Sequence, residues 1–256
     1  RDLHLSIRRQ RQMCIRDRDG AVGKLLWSFD PDAIHDGLSD NDQRGLMYWK
    51  DGDQGRLFTN KGSYLYCIDT RNGKLVTSFG TEGSIHLGEN MDVEGAPGVY
   101  LNTPGYIYRD MIIIGANVAE SVPGAVRAFD ARTGDRRWIF HTLPRPGEFG
   151  SNTWPDGYLA KTGGASDWSG LSIDTERGIV YISTETAGPD FYGGERYGEN
   201  LFANSVVALN ADTGERIWHQ QLVQGHVGRL CKLLRFWEKF LAVSYTHLTL
   251  PTNREV

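Results

Sequence analysis

Two stretches of this chain copy one another closely enough to constrain the fold before composition is considered. VRAFDARTGDRRWIF at 126–140 and VVALNADTGERIWHQ at 206–220 both read Ala-x-Asp/Asn-x-x-Thr-Gly-x-x-x-Trp. A third copy, LYCIDTRNGKLVTSF at 65–79, keeps Asp69 and Gly73, with Phe79 as its nearby aromatic. A fourth survives in part as DGAVGKLLWSF at 19–29, with Gly23 and Trp27 in register. The repeat glycines stand at 23, 73, 134 and 214, giving spacings of 50, 61 and 80 residues. Self-similarity of this kind marks supersecondary units that stack because none can bury its apolar face alone.

Each copy has a physical reading. An alternating strand such as Val126–Phe129 runs into a turn begun by Asp130, whose carboxylate can accept from backbone N–H groups ahead of it. Gly134 then supplies the positive φ that lets the hairpin return, and the return strand carries Trp138. Two strands are marginal alone, so the indole is expected to seal each unit onto a neighbour. Further strands fill the spacing: GYIYRD at 105–110, MIIIGA at 111–116, and WSGLSID (168–174) paired with GIVYIST (178–184) through the turn TERG. Four strands per unit, radially stacked, predict an all-β chain carrying about three to four blades of a β-propeller. A sandwich is the rival, and the near-identical turn-plus-Trp units favour radial repetition.

Composition agrees with a packed core: 39% hydrophobic, with seven Trp and eleven Tyr that need somewhere to pack. The formal charge of −4 resolves into +4 over residues 1–18, +3 over 226–256 and −11 between them. So acidic a centre argues against nucleic acid as a partner. Of the three cysteines only Cys67 lies in that centre, which excludes a disulfide framework there. No stretch approaches the roughly 18 apolar residues of a membrane span. Residues 1–18 and 226–256 follow neither blade spacing nor turn chemistry, and 8–18 and 242–256 resemble translated sequencing-adapter read-through. They are expected to be non-native flanks of a partial propeller over 19–225, with poor packing at 1–18 and 242–256. The stretch 230–242 has some helical periodicity as the competing reading.

The repeat unit resembles the tryptophan-docking motif of the eight-bladed PQQ-dependent alcohol and sugar dehydrogenases, closest in flavour to the membrane-type glucose dehydrogenase branch. The resemblance runs over about 19–225 and implies the rest of the reading. QRGLMYW at 43–49 is similar to the family's Arg-Gly stretch, so Arg44 would pair with a PQQ carboxylate, which suits a planar guanidinium. The vicinal cysteines of the alcohol branch are absent, since SDNDQ precedes that arginine. LNTPGYIYRDMIIIGANVAES at 101–121 resembles the Thr-Pro strand pair: Thr103 and Asn117 would contact the cofactor and Glu120 would ligate calcium, a hard cation that takes oxygen ligands. TGGASDWSGLSID at 162–174 puts Trp168 where the family stacks an indole on PQQ. YISTETAGPDF at 181–191 puts Thr186 at the position of a usual metal-ligand Asn, with Glu185 beside it as a further carboxylate. After Gln224 the family continues with a His-Asp-x-Trp-Asp run that holds the catalytic base; this chain reads GHVGRLCK there.

The resemblance therefore implies PQQ- and calcium-dependent oxidation of a sugar, polyol or alcohol, with electrons passing to a quinone or cytochrome, in a periplasmic protein possessing no base in this chain. Arg44, Thr103, Glu120 and Trp168 are expected to converge near one end of the propeller axis. The alternative is a non-catalytic scaffold or assembly propeller with the same docking repeat, which has no reason to hold those four residues together. A third reading, a calcium-independent sugar-binding propeller, predicts exposed aromatics without the Glu120 loop.

Overall fold

Each repeat folds into the hairpin that its turn chemistry calls for. The computed structural model describes residues 15–35, 37–38, 45–93 and 98–223. Strands β1 (Ile15–Arg18) and β2 (Leu25–Phe29) form a two-stranded sheet. Three four-stranded sheets follow in chain order. The first holds β3 (Met47–Asp51), β4 (Gln54–Lys61), β5 (Tyr64–Asp69) and β6 (Ser84–His86). The second holds β7 (Tyr106–Tyr108), β8 (Met111–Ile114), β9 (Ala125–Asp130) and β10 (Arg136–His141). The third holds β11 (Ser172–Asp174), β12 (Ile179–Ser183), β13 (Ser205–Asn210) and β14 (Arg216–Gln221). The expected hairpin around TERG is β11–β12, with Ile173 opposite Val180 and Asp174 opposite Ile179. This is the meander of a propeller blade.

The four repeat turns are built alike. In each, the backbone N–H of the repeat glycine donates to the carbonyl four residues back: Gly23 to Asp19, Gly73 to Asp69, Gly134 to Asp130 and Gly214 to Asn210, at 2.8–2.9 Å. The residue that begins the turn donates in return to the residue after the glycine, as in Asp19 to Lys24 and Asp130 to Asp135. Its side chain accepts from the N–H groups ahead: Asp130 Oδ1 from Arg132 and Thr133, Asn210 Oδ1 from Asp212 and Thr213, Asp19 Oδ1 from Ala21 and Val22. All four glycines have φ between 69° and 81°, a region that L side chains enter only at a cost. The fourth copy, partial in sequence, is therefore complete as a turn.

Two of the repeat tryptophans seal junctions. A Cβ on Gly73 would stand 2.5 Å from Trp27 Cε3, and Trp27 Nε1 donates to Thr70 O at 2.8 Å. Trp138 repeats the arrangement on Gly214, again at 2.5 Å, and its Nε1 donates to Ala211 O at 3.0 Å. Trp138 keeps 7% of its surface exposed, so its burial contributes about 3 kcal/mol.

The copy without a tryptophan is sealed differently. Phe79 does not play the docking part; it is wholly buried beside Phe58, ring centroids 5.4 Å apart. The turn at Gly134 instead meets backbone, Gly80 N–H donating to Thr133 O at 2.8 Å. Arg56 Nη1 takes the Ala131 and Arg132 carbonyls at 2.9 and 2.7 Å. Trp218, at the corresponding position of the last copy, is 41% exposed, its ring centroid 6.0 Å from that of Tyr181.

The chain divides into two compact units, Arg1–Ile114 with Ala128–Arg137 and Gly115–Arg127 with Trp138–Val256. The first is centred on Phe58, Leu65, Ile68 and Phe79, the second on Val180, Ile182, Val207 and Leu209, all fully buried. Ile15–Arg18, within the flank set aside above, forms β1 against β2. The rest of the N-terminal flank and the whole C-terminal one lie outside the described residues.

Candidate functional site

Three loop segments of the second unit are laced together by backbone. Gly124 N–H donates to Gly164 O at 2.9 Å and Gly164 N–H returns to Val122 O at 3.0 Å. Ala165 N–H donates to Thr186 O at 2.9 Å and Gly188 N–H to Gly163 O at 2.8 Å. The segments carrying Glu120, Trp168 and Thr186 are thus neighbours. Glycine makes the approach possible, since a Cβ on Gly163 or on Gly188 would stand 2.6 Å from Glu120 O.

Within this frame Glu120 is exposed and lines a cavity of about 320 Å³ together with Ser121, Tyr158, Lys161 and Thr162. Thr186 is buried, and its hydroxyl accepts from Arg196 Nη2 at 3.1 Å. Arg196 is itself buried, and burial pushes its guanidinium below the ordinary value. Thr162 Oγ1 donates to Gly188 O at 2.8 Å, and Tyr158 donates to the same carbonyl at 3.3 Å. Asn117 is half-buried on the same run as Glu120.

Trp168 is half-buried, with a second cluster around it. Glu185 accepts from Ser166 Oγ at 2.5 Å and has the Trp168 side chain beside it. Burial pushes the Glu185 carboxyl up to about 7 despite those hydrogen bonds. Asp167 is buried, accepts from Ser183 N–H through Oδ1 at 3.3 Å, and has no partner for Oδ2. Burial holds it well above the usual carboxylate range, and the Glu185 charge adds to the effect. Asp167 also packs on Gly115, where a Cβ would stand 2.8 Å from Oδ2. Among the described residues, no three His, Cys, Asp or Glu side chains gather to hold a metal ion.

Of the residues singled out from sequence, Asn117, Glu120, Trp168 and Thr186 lie in the second unit, their loops joined as above. Thr103 is half-buried ahead of β7 in the first unit. Arg44 lies outside the described residues. Asp167 and Arg196 were not singled out; the only sequence signal was a charged residue flanked by Ser and Trp or by Glu and Tyr, which says nothing of burial.

Comparison with known proteins decides the family. The family described as "PQQ: Glucose/ethanol/alcohol dehydrogenase, beta-propeller domain" matches residues 9–227. The chain belongs to this quinoprotein dehydrogenase family. Among quinoprotein relatives, the dehydrogenase subunit of the quinone alcohol dehydrogenase of Komagataeibacter europaeus is 33% identical over 229 residues. That match covers 79% of this chain and 29% of the relative. Quinoprotein glucose dehydrogenase A of Acinetobacter calcoaceticus is 28% identical, with 79% and 28% covered. The solved structure of a quinohemoprotein alcohol dehydrogenase of Pseudomonas putida aligns with a TM-score of 0.65 at 27% identity. It covers 82% of this chain and 31% of that one. The chain is thus a quinoprotein propeller segment spanning under a third of its relatives. Among the described residues no helix is long and apolar enough to cross a membrane.

Proposed function

We propose that this quinoprotein segment serves PQQ-dependent oxidation of a sugar, polyol or alcohol, with electrons leaving to a quinone or cytochrome in the periplasm. The observation that carries the reading is the lacing of the Glu120, Trp168 and Thr186 loops through glycines that a side chain would push apart. When bound, PQQ supplies the two-electron acceptor chemistry. Trp168 would be its stacking face, with Glu185, held by Ser166, beside the indole. Asn117, Thr103 and Arg44 would complete the contacts, the last against a carboxylate.

The Glu120 carboxylate suits calcium, while the Arg196 cation on Thr186 works against a second cation there. Glu120 offers hard oxygens at the cavity, and the Thr186 hydroxyl keeps a lone pair beyond its bond from Arg196. Two such residues fall below the roughly six to eight oxygens that calcium takes, so they would be part of a shell. The chain carries GHVGRLCK where the resemblance places the base, and a positioned base typically contributes about 10²–10⁴-fold. This chain alone is therefore proposed to be inactive.

The test is tryptophan fluorescence of the purified chain titrated with PQQ, with and without calcium, beside a dye-linked assay on glucose, polyols and ethanol. Saturable quenching that Trp168→Phe reduces, without turnover, is expected. Absence of any PQQ-dependent quenching would favour a non-catalytic scaffold, and turnover like that of an intact relative would overturn the inactivity.

A further inference from the structure

Trp168 stands on an excursion from the β11–β12 ladder. Regular pairing ends with Ser172 opposite Tyr181. Backbone contact between the two segments resumes where Glu185 N–H donates to Ser166 O at 3.1 Å and Ala165 N–H to Thr186 O at 2.9 Å. From 172 back to 165 is seven residues, against five from 181 to 186, so one side carries two residues more than the other. Extra residues of this kind re-aim a side chain out of its strand. Positive φ brackets the excursion, 52° at Ala165 and 95° at Gly170. Alanine takes such a conformation only where its surroundings impose it.

Side chains close the gap that the ladder leaves. Ser183 N–H donates to Asp167 Oδ1 at 3.3 Å, and the Ser169 and Ser183 hydroxyls share a hydrogen bond at 2.9 Å. Ser166 Oγ donates to Glu185 at 2.5 Å. The residues on either side of Trp168 are thus tied to Ser183 or Glu185, and the Glu185 carboxylate has the Trp168 side chain beside it. Behind them Asp167 is 2% exposed and wedged on Gly115, where a Cβ would stand 2.8 Å from both the Asp167 carbonyl oxygen and Oδ2. All of these residues belong to the second unit. Two carboxyl groups placed around an indole cost free energy that an apolar setting would avoid, so their presence points to geometry being held.

We propose that Asp167 and Glu185 are positioning residues that hold the Trp168 indole in one orientation before any ligand arrives. Asp167 anchors the excursion on Ser183, and Glu185, steadied by Ser166, takes the indole N–H. The face so presented suits a planar aromatic ligand. Stacking then costs little further ordering of the protein, which is how preformed geometry strengthens binding. PQQ as that ligand rests on the function proposed above, whereas the frame rests on the hydrogen bonds alone.

Fluorine NMR of the whole chain carrying 5-fluorotryptophan tests it, with Trp138→Phe, Trp168→Phe and Trp218→Phe assigning their lines. In the wild type the Trp168 line should be single and should relax like that of buried Trp138. Asp167→Ala and Glu185→Ala should each shift or split it and change its relaxation, while the remaining lines keep their places and show the fold intact. Asp167→Asn and Glu185→Gln keep the accepting oxygens and should restore the wild-type line. PQQ, followed by fluorescence quenching, should bind both alanine variants about tenfold more weakly and the amide variants like the wild type. A wild-type Trp168 line that is split, or that relaxes like exposed Trp218, overturns the proposal whether or not the variants fold. Folded alanine variants that keep both the line and the affinity overturn it as well. A single, fixed Trp168 line in the wild type, lost in the alanine variants but without quenching by PQQ, supports the frame and refutes the cofactor reading instead.

Discussion

The Arg56 guanidinium closes on the Ala131 carbonyl at 2.9 Å, in the place that an indole N–H takes at Thr70 and at Ala211. The side chain crosses from β4 and lies over the Trp49 ring, 5.4 Å from its centroid, so it is held flat as well as paired. Arg56→Met keeps the aliphatic stem but leaves two carbonyls without their donor. A loss of about 2–4 kcal/mol in urea unfolding is expected. Arg56→Lys should fall between, because a point charge cannot fork between two oxygens.

The indole at Trp138 does two jobs that substitution separates. Trp138→Phe keeps most of the packing on Gly214 and removes the donor to Ala211 O, and should cost about 1 kcal/mol. Trp138→Ala removes both and should cost about 3–5 kcal/mol. Equal losses for the two variants by chemical denaturation would mean that packing contributes nothing.

Alanine at two repeat glycines should give unequal results. Gly23→Ala and Gly214→Ala both force a side chain to positive φ, about 1 kcal/mol. Only at Gly214 does the new Cβ meet an indole, so that variant should lose about 3 kcal/mol in all. Thermal melts of the two variants side by side check this.

Asp167 makes stability fall as pH rises. Its folded pKa is raised by burial, so its contribution is fully present below the unfolded value near 3.8 and is lost as pH climbs toward the folded value. Asp167→Asn keeps an oxygen for Ser183 N–H and cannot ionise. It should match the wild type at about pH 4 and exceed it by about 1–3 kcal/mol at about pH 8. Denaturation curves at the two pH values would show no crossover if Asp167 ionised freely.

Cys67 should be inert in the folded chain. It is wholly buried on β5, and burial pushes its thiol up to about 12, so almost no thiolate exists at neutral pH. Mass spectrometry after iodoacetamide should find Cys67 unmodified natively and alkylated in urea.

The sequence made the turns legible because their chemistry is local. Asp or Asn, Thr and Gly at fixed offsets specify one hairpin whatever surrounds it. Family membership was legible through resemblance. What could not be read was which partner covers each turn. Phe79 looked like a substitute for the missing indole, yet it packs inward on Phe58, and the junction passes to Gly80 and Arg56, which share no motif. Asp167 and Arg196 escaped for a related reason. Charged residues are ordinarily at the surface, and only the folded loops reveal two that are not.

An indole junction reads a glycine and a main-chain oxygen, and neither carries an address. The backbone that Trp27 meets at Gly73 is arranged like the one Trp138 meets at Gly214, although the turn side chains differ, Thr70, Arg71 and Asn72 against Ala211, Asp212 and Thr213. Tether length also differs: the bonded residues are 43 apart for Trp27 and Thr70 and 73 for Trp138 and Ala211. Closure entropy separates such lengths weakly, about 0.6 kcal/mol per doubling. Backbone contact and tether length together therefore discriminate weakly between one turn and another. A refolding chain is exposed to wrong couplings between perfectly good parts, a hazard that the shared geometry of the turns makes worse.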